Sequence, residues 1–339
     1  MNRVLIAGVP GYAAAFTSAH QKAPMLAYIQ HLLRRGLRLF YALAKVMLPI
    51  MLLVQIGQWL GWIDALGHFF GPVMAWLNLP AQAALIWMAS IFVGVYGALA
   101  ALAGLAGGLD MTAAQFSALA SMILFAHGLP VEQAIVRRAG ASFWATTGLR
   151  LGAAILYGGA VSWTCHAMGW LSQPMSFEWL QGSEMAGGDP GLQDWLYGTA
   201  VSMALTLAVI LALLVVLDLM ERSGITAVLT RGLTPVLRWS GLDLQVAPVT
   251  MLGVLLGLSY GGALIIEEAQ RRQFSPRTRF LALSWLSLSH SLIEDTLLLM
   301  AVGANGWIVL VGRVALTLLV VAALARLWTE RVAAAPGGC

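Results

Sequence analysis

A chain of 339 residues with 60% hydrophobic and only 10% charged residues, and a mean hydropathy of +0.81, is too apolar for a soluble globular domain. Several runs approach the roughly 20 apolar residues that one helix needs to cross the hydrocarbon, and their continuous apolarity argues against a lipid-facing barrel; the fold class is all-α, polytopic and membrane-embedded. The net charge of +4 would suit nucleic acid in a soluble protein, but the arginines flank membrane segments, where topology accounts for them and a nucleic acid polymer is excluded as a partner.

Cys165 and Cys339 are the two cysteines, one in an apolar run and one terminal, so there is neither a disulfide framework nor a CxxC metal motif. Residues 1–39 read as an N-terminal arm; its weakly apolar stretch from Val4 to Ala15 is interrupted by Pro10 and Gly11, with a cleaved signal peptide the lesser alternative. The first predicted crossing helix spans 40–62 and follows Arg34, Arg35 and Arg38, which put its start on the cytoplasmic side. An amphipathic piece over 64–78 comes next, then apolar runs over 81–107, 112–138 and 142–170. The segment 171–195 carries Glu178, Glu184, Asp189 and Asp194 but no Lys or Arg, and reads as an extracytoplasmic loop.

From Leu196 the same order of pieces returns. An ungapped offset of 163 (290 − 127) pairs Gly61 with Gly224, Pro72 with Pro235, Trp76 with Trp239, His127 with His290, Glu132 with Asp295, Trp144 with Trp307 and Arg150 with Arg313. Paired Trp, His, Pro and Arg in one register indicate an internal duplication, 40–170 and 196–328, followed by a tail over 329–339. Arginines decorate different members of the two copies. The amphipathic piece of the second carries Arg222, Arg231 and Arg238 and its next turn Arg271, Arg272, Arg277 and Arg279, whereas the first copy has no Lys or Arg at these places. The two repeats are therefore expected to be inverted in the membrane.

The same distribution requires the run over 246–270 to enter and leave on one side. Its centre, Gly257-Leu258-Ser259-Tyr260-Gly261-Gly262, and the counterpart Gly94-Val95-Tyr96-Gly97-Ala98 suit a helix break. Two re-entrant helical hairpins with tips near Tyr96 and Tyr260 are predicted. Each is followed by a crossing helix interrupted by polar residues: Ala126-His127-Gly128-Leu129-Pro130-Val131-Glu132 in the first copy, and the octet Ser289-His290-Ser291-Leu292-Ile293-Glu294-Asp295-Thr296 in the second. Pro130 removes a backbone donor and Gly128 loosens the helix. Ionisable groups in such surroundings are costly, and they mark cavities, partners or ion paths.

The octet at 289–296 and the glycine-rich tip at 257–262 resemble the nucleoside recognition, or Gate, domain proteins, a family related to concentrative nucleoside transporters, the membrane part of ferrous iron transporter B and the spore maturation proteins A and B. The resemblance extends over about 40–327 as two Gate units. It implies ligand contact by Ser259, Tyr260, His290, Ser291, Glu294 and Asp295, with Tyr96, Gly97, His127 and Glu132 as the corresponding zone of the first copy. No amino-terminal GTPase domain is expected, and the hairpin tips lack the cysteine associated with the iron transporter; both argue against a powered iron transporter.

Blander roles stand beside these. A helical His is often scaffold, and adjacent Glu294 and Asp295 point about 100° apart on a helix, so that one lines the cavity and the other binds backbone or Arg. Arg150 and Arg313, several residues inside their helices, are expected to bind an anion or to pin the broken backbone, with pairing to Glu132 or Asp295 as the favoured structural role. Glu267 and Glu268 stand four residues before Arg271 and Arg272, a spacing for helix ion pairs. His68 and His166 have no repeated polar neighbour and read as scaffold. No phosphate-binding loop, HExxH or GxSxG motif occurs, and no enzyme activity is expected.

These readings predict a secondary transporter of a small polar solute, nucleoside-like by the resemblance, in a bacterial inner membrane. No cofactor is expected beyond a coupling ion, a proton or sodium. The partners are the substrate and the bilayer, with a homo-oligomer also admitted. The alternatives are a divalent metal permease with His127, His290, Glu132 and Glu294 as ligands, and a non-transporting membrane partner or assembly protein.

Overall fold

The computed structural model describes residues 25–180, 192–225, 239–242, 246–256 and 274–327, together with positions 228, 232 and 235. The predicted second hairpin tip, including Ser259 and Tyr260, lies outside the described residues, as do Glu267, Glu268, Arg271 and Arg272.

Helix α1 runs from Met25 to Trp59, 35 residues. It starts well before residue 40, where apolarity alone would begin it. The added stretch holds five Leu and three Arg, strong helix formers that extend the rod. α2 (Trp62–Trp76) follows a left-handed Gly61, then α3 (Ala83–Val93) and α4 (Val95–Leu105) are separated by Gly94 at φ 113. The run expected over 81–107 is thus two helices of 11 residues each, about 16 Å long at 1.5 Å per residue. They lie against each other, and Gly97 makes this close approach feasible: a Cβ there would stand 2.7 Å from the Val93 Cβ and 2.9 Å from the Ala89 carbonyl oxygen.

A two-residue strand β1 (Met111–Thr112) precedes α5 (Ala113–Phe125), α6 (Leu129–Arg138) and α7 (Phe143–Met168). β1 pairs antiparallel with β2 (Pro174–Met175), a contact with no signal in the sequence. α8 (Leu192–Arg222), α9 (Ala247–Leu256), α10 (Pro276–Ser289), α11 (Glu294–Val302), a π-helical turn at Trp307–Gly312 and α12 (Arg313–Leu327) complete the described elements. Thr112 caps α5 by accepting from the Gln115 amide at 3.2 Å, and Ser275 caps α10 by accepting from the Thr278 amide at 3.1 Å. Both relieve the unpaired donors of a helix start.

Among the described residues, four helical stretches are long and apolar enough to cross a bilayer: Tyr28–Trp59, Ala113–Arg138, Trp195–Met220 and Trp307–Leu327. The Ala113–Arg138 window is 67% buried, against 19–28% for the others, so α5 and α6 are central and α1, α8 and α12 peripheral. The core gathers Phe116, Leu119, Met122 and Phe125 of α5 with Leu283, Trp285 and Leu286 of α10, all nearly inaccessible. Small residues allow helices to meet where no hydrophobic force separates protein from lipid tails. Gly158 of α7 sits against Met122, Gly104 against Val54, and Ala100 and Ala103 of α4 against Met47 and Met51 of α1. The chain is an all-α integral membrane protein.

Candidate functional site

The Ala113–Arg138 stretch is broken in its middle. α5 stops at Phe125, Gly128 adopts φ 56, and Pro130 occupies the first turn of α6, where its missing N–H costs nothing. The Gly128 amide, released from the helix, donates to the Ser90 carbonyl of α3 at 2.8 Å. The octet behaves alike. α10 stops at Ser289, Ser291 takes φ 47, and the Leu292 amide donates to the Val254 carbonyl of α9 at 2.9 Å. In each case a short apolar helix accepts the amide that the break sets free.

Two wholly buried arginines bind the carbonyls left at these breaks. Arg150 Nε donates to Phe125 O at 2.7 Å and Nη2 to His127 O at 2.8 Å. Arg313 Nε donates to Leu288 O at 2.8 Å and Nη2 to His290 O at 3.2 Å. The acceptors are related by the same offset as the arginines, 288 − 125 = 290 − 127 = 313 − 150 = 163. Arg313 Nη2 also reaches Leu124 O at 2.9 Å, joining the second break to the first.

The side chains of the breaks converge. The His127 and His290 rings stand edge to face with centroids 4.8 Å apart. Glu132 Oε2 accepts from Arg150 Nη1 at 2.5 Å and lies 3.1 Å from His290 Nε2. Glu132 Oε1 lies 3.4 Å, and Asp295 Oδ2 3.5 Å, from His127 Nε2. His127 Nδ1 is 2.9 Å from the Ile123 carbonyl; a carbonyl only accepts, so Nδ1 carries the proton and Nε2 presents its lone pair in the neutral ring.

Of the residues predicted from sequence, His127, His290, Glu132, Asp295, Arg150 and Arg313 are thus brought together. Arg150 has the expected carboxylate partner, whereas Arg313 takes three carbonyls and leaves Nη1 without a partner. Glu294, the first residue of α11, is exposed while Asp295 is buried, the divergence expected of neighbours on a helix. Ser291 is half-buried. Tyr96, the second residue of α4, lines an apolar cavity with Met47, Leu99, Ser202, Thr206 and Leu298; the two histidines are not among its lining residues. Gln133, which accepts from Thr146 at 2.6 Å, and the Ser289–Thr317 hydroxyl pair at 2.8 Å also buttress the breaks. Ser289 stands in the octet, but nothing in the sequence neighbourhood of Gln133, Thr146 or Thr317 singles them out, because their partners lie on other helices.

Comparison with known proteins agrees with the class of this arrangement. Residues 204–305 match the Gate family model, described as nucleoside recognition. Over 307 residues, 88% of this chain and 94% of the relative, the sequence is 24% identical to the uncharacterized membrane protein YvoD of Bacillus subtilis (strain 168). No solved structure matches. The matched segment includes Ser289–Thr296, so the octet that prompted the resemblance lies within the stretch of this membrane protein that is similar to the Gate, or nucleoside recognition, family.

Proposed function

We propose that this protein is a secondary transporter of a small polar solute, operating without catalysis in a bacterial inner membrane and coupled to a proton or sodium gradient. The observation that carries the reading is the meeting of two broken helices at His127, Glu132, His290 and Asp295, deep among apolar helices. Such groups are expensive in a bilayer and are retained where a substrate or ion passes. Discontinuous helices further offer free backbone groups to a solute at mid-membrane depth. The Gate match favours a nucleoside-like solute, with Tyr96, Ser259, Tyr260, Ser291 and Glu294 as further contacts.

The architecture that goes with this function is a pair of inverted repeats, 40–170 and 196–328, joined by the loop 171–195. Its support is the shared offset of the arginine–carbonyl bonds, the capped starts of α5 and α10, and the left-handed residues at both breaks. The α3–α4 pair, bent at Gly94, is the first re-entrant hairpin in this reading.

Uptake of radiolabelled uridine, adenosine and nucleobases into proteoliposomes, with proton and sodium gradients imposed separately, tests it. Gradient-dependent accumulation that Asp295→Asn abolishes is the expected result. Uptake indifferent to both gradients, or absent for every polar solute offered, refutes it.

A further inference from the structure

We propose that the two helix breaks share one binding site for a divalent transition-metal cation, built from His127 Nε2, Glu132 and His290 Nε2, with Asp295 Oδ2 beside His127 as a further ligand. Three acceptors converge here. With Nδ1 committed to the Ile123 carbonyl at 2.9 Å, Nε2 of neutral His127 has no proton to give, yet it faces two carboxylate oxygens at 3.4 and 3.5 Å. Asp295 is 8% exposed, and its Oδ2 is a buried atom without a hydrogen-bond partner. A cluster of lone pairs in the interior of a membrane protein calls for a cation among them.

The separations indicate which cation. A protonated imidazole bridging the acids would draw its oxygens to about 2.7–2.9 Å. Ligand atoms around a tetrahedral cation with bonds of about 2.0–2.1 Å stand about 3.3–3.4 Å from one another, close to the 3.4 and 3.5 Å that separate His127 Nε2 from the Glu132 and Asp295 oxygens. Nitrogen and oxygen atoms of His127, Glu132 and His290 lie within 4.8 Å of one another, and Asp295 Oδ2 adjoins them through His127 Nε2. An imidazole with two carboxylates selects a first-row divalent ion such as zinc or manganese over sodium, which prefers oxygen alone.

The surroundings are those of an oriented ligand set. A metal-binding histidine donates its other ring N–H to a carbonyl or carboxylate, and ligating carboxylates are themselves hydrogen-bonded. His127 does the first through Ile123 O, and Glu132 the second, its Oε2 held by Arg150 Nη1 at 2.5 Å. Arg313 spends its partnered donors on backbone carbonyls, and Arg150 spends two there and a third on Glu132 Oε2, which leaves Glu132 Oε1 and Asp295 to face the ion. Glu294, a ligand candidate from sequence, is exposed and is not among the ligands. The ion ties α5–α6 to α11 whether or not a solute is moved, and its binding is measured without transport, so failure here leaves the transport reading standing.

The test uses the full chain purified in detergent, stripped with a chelator and titrated separately with Zn(II), Mn(II) and Co(II). About one ion per chain, a Tm raised by several degrees and the intense visible absorption of four-coordinate cobalt are expected. Asp295→Asn and His127→Gln should each weaken binding at least about tenfold, while His166→Ala leaves it unchanged. Should a variant fail to fold, the wild-type stoichiometry and cobalt spectrum decide alone. Less than about 0.1 ion per chain, a Tm that responds to pH but to none of the metals, or full occupancy in Asp295→Asn would overturn the proposal.

Discussion

Arg313 offers the sharpest test of how the breaks are held. Its guanidinium is completely buried and gives three hydrogen bonds to carbonyls that helices α5 and α10 leave open, to Leu288 O at 2.8 Å, Leu124 O at 2.9 Å and His290 O at 3.2 Å. It also lies over the Phe125 ring, 5.9 Å from its centroid. Arg313→Met keeps the volume of the stem and removes every donor. Hydrogen bonds within a bilayer average about 0.6 kcal/mol when measured by mutant cycles, but a carbonyl stranded without a donor costs about 1–3 kcal/mol. Part of the loss is recovered because Nη1, buried without a partner, no longer has to be desolvated. The net cost falls between about 2 and 5 kcal/mol. Thermal unfolding of the detergent-purified protein should show Tm lowered by at least about 3 °C. Arg313→Lys should restore only part of it, since one ammonium cannot span carbonyls on two helices. A Met variant within about 1 °C of the parent would mean that water or backbone rearrangement satisfies these carbonyls and that the arginine is not their clamp.

Arg150→Met should cost about 3–5 kcal/mol, because it leaves the Glu132 carboxylate uncompensated among buried side chains, and adding Glu132→Gln should recover part of that in the same unfolding assay. Gly97→Ala should destabilise by about 1–3 kcal/mol through overpacking, its Cβ meeting Val93 and the Ala89 carbonyl; Gly108→Ala, with nothing within 4 Å, is the matched control and should change little. Tyr157→Phe removes the hydroxyl that donates to Ile308 O at 2.8 Å within the π-helical turn, an effect of about 0.5–1.5 kcal/mol readable as faster hydrogen exchange over 307–312.

The breaks in this fold were legible because they are written in residue types. Gly128 and Pro130, and the crowding of hydroxyls and acids around His290, contradict a continuous apolar helix, and the structure interrupts both segments there. The pairing of Arg150 with Arg313 by offset was legible for the same reason: two arginines set alike within apolar runs. That such an arginine pins a broken backbone was legible as one of its roles, but which carbonyls it takes was not: an acid was the favoured partner, and the structure supplies three carbonyls instead. The start of α1 at Met25 was missed because the arginines at 34, 35 and 38 were read as the end of the apolar run, whereas helical propensity continues through them. The approach of Asp295 to His127 joins residues far apart in the chain, and no local pattern encodes such a meeting.

The Ile123 carbonyl has a further consequence. In an unbroken α-helix that oxygen would accept the backbone amide of residue 127, four positions on. Here it accepts the imidazole of the same residue. α5 has already unwound by residue 127, so the side chain reaches back four residues to an oxygen that its own amide does not take. The direction in which His127 offers its lone pair is in this way set by where a helix ends.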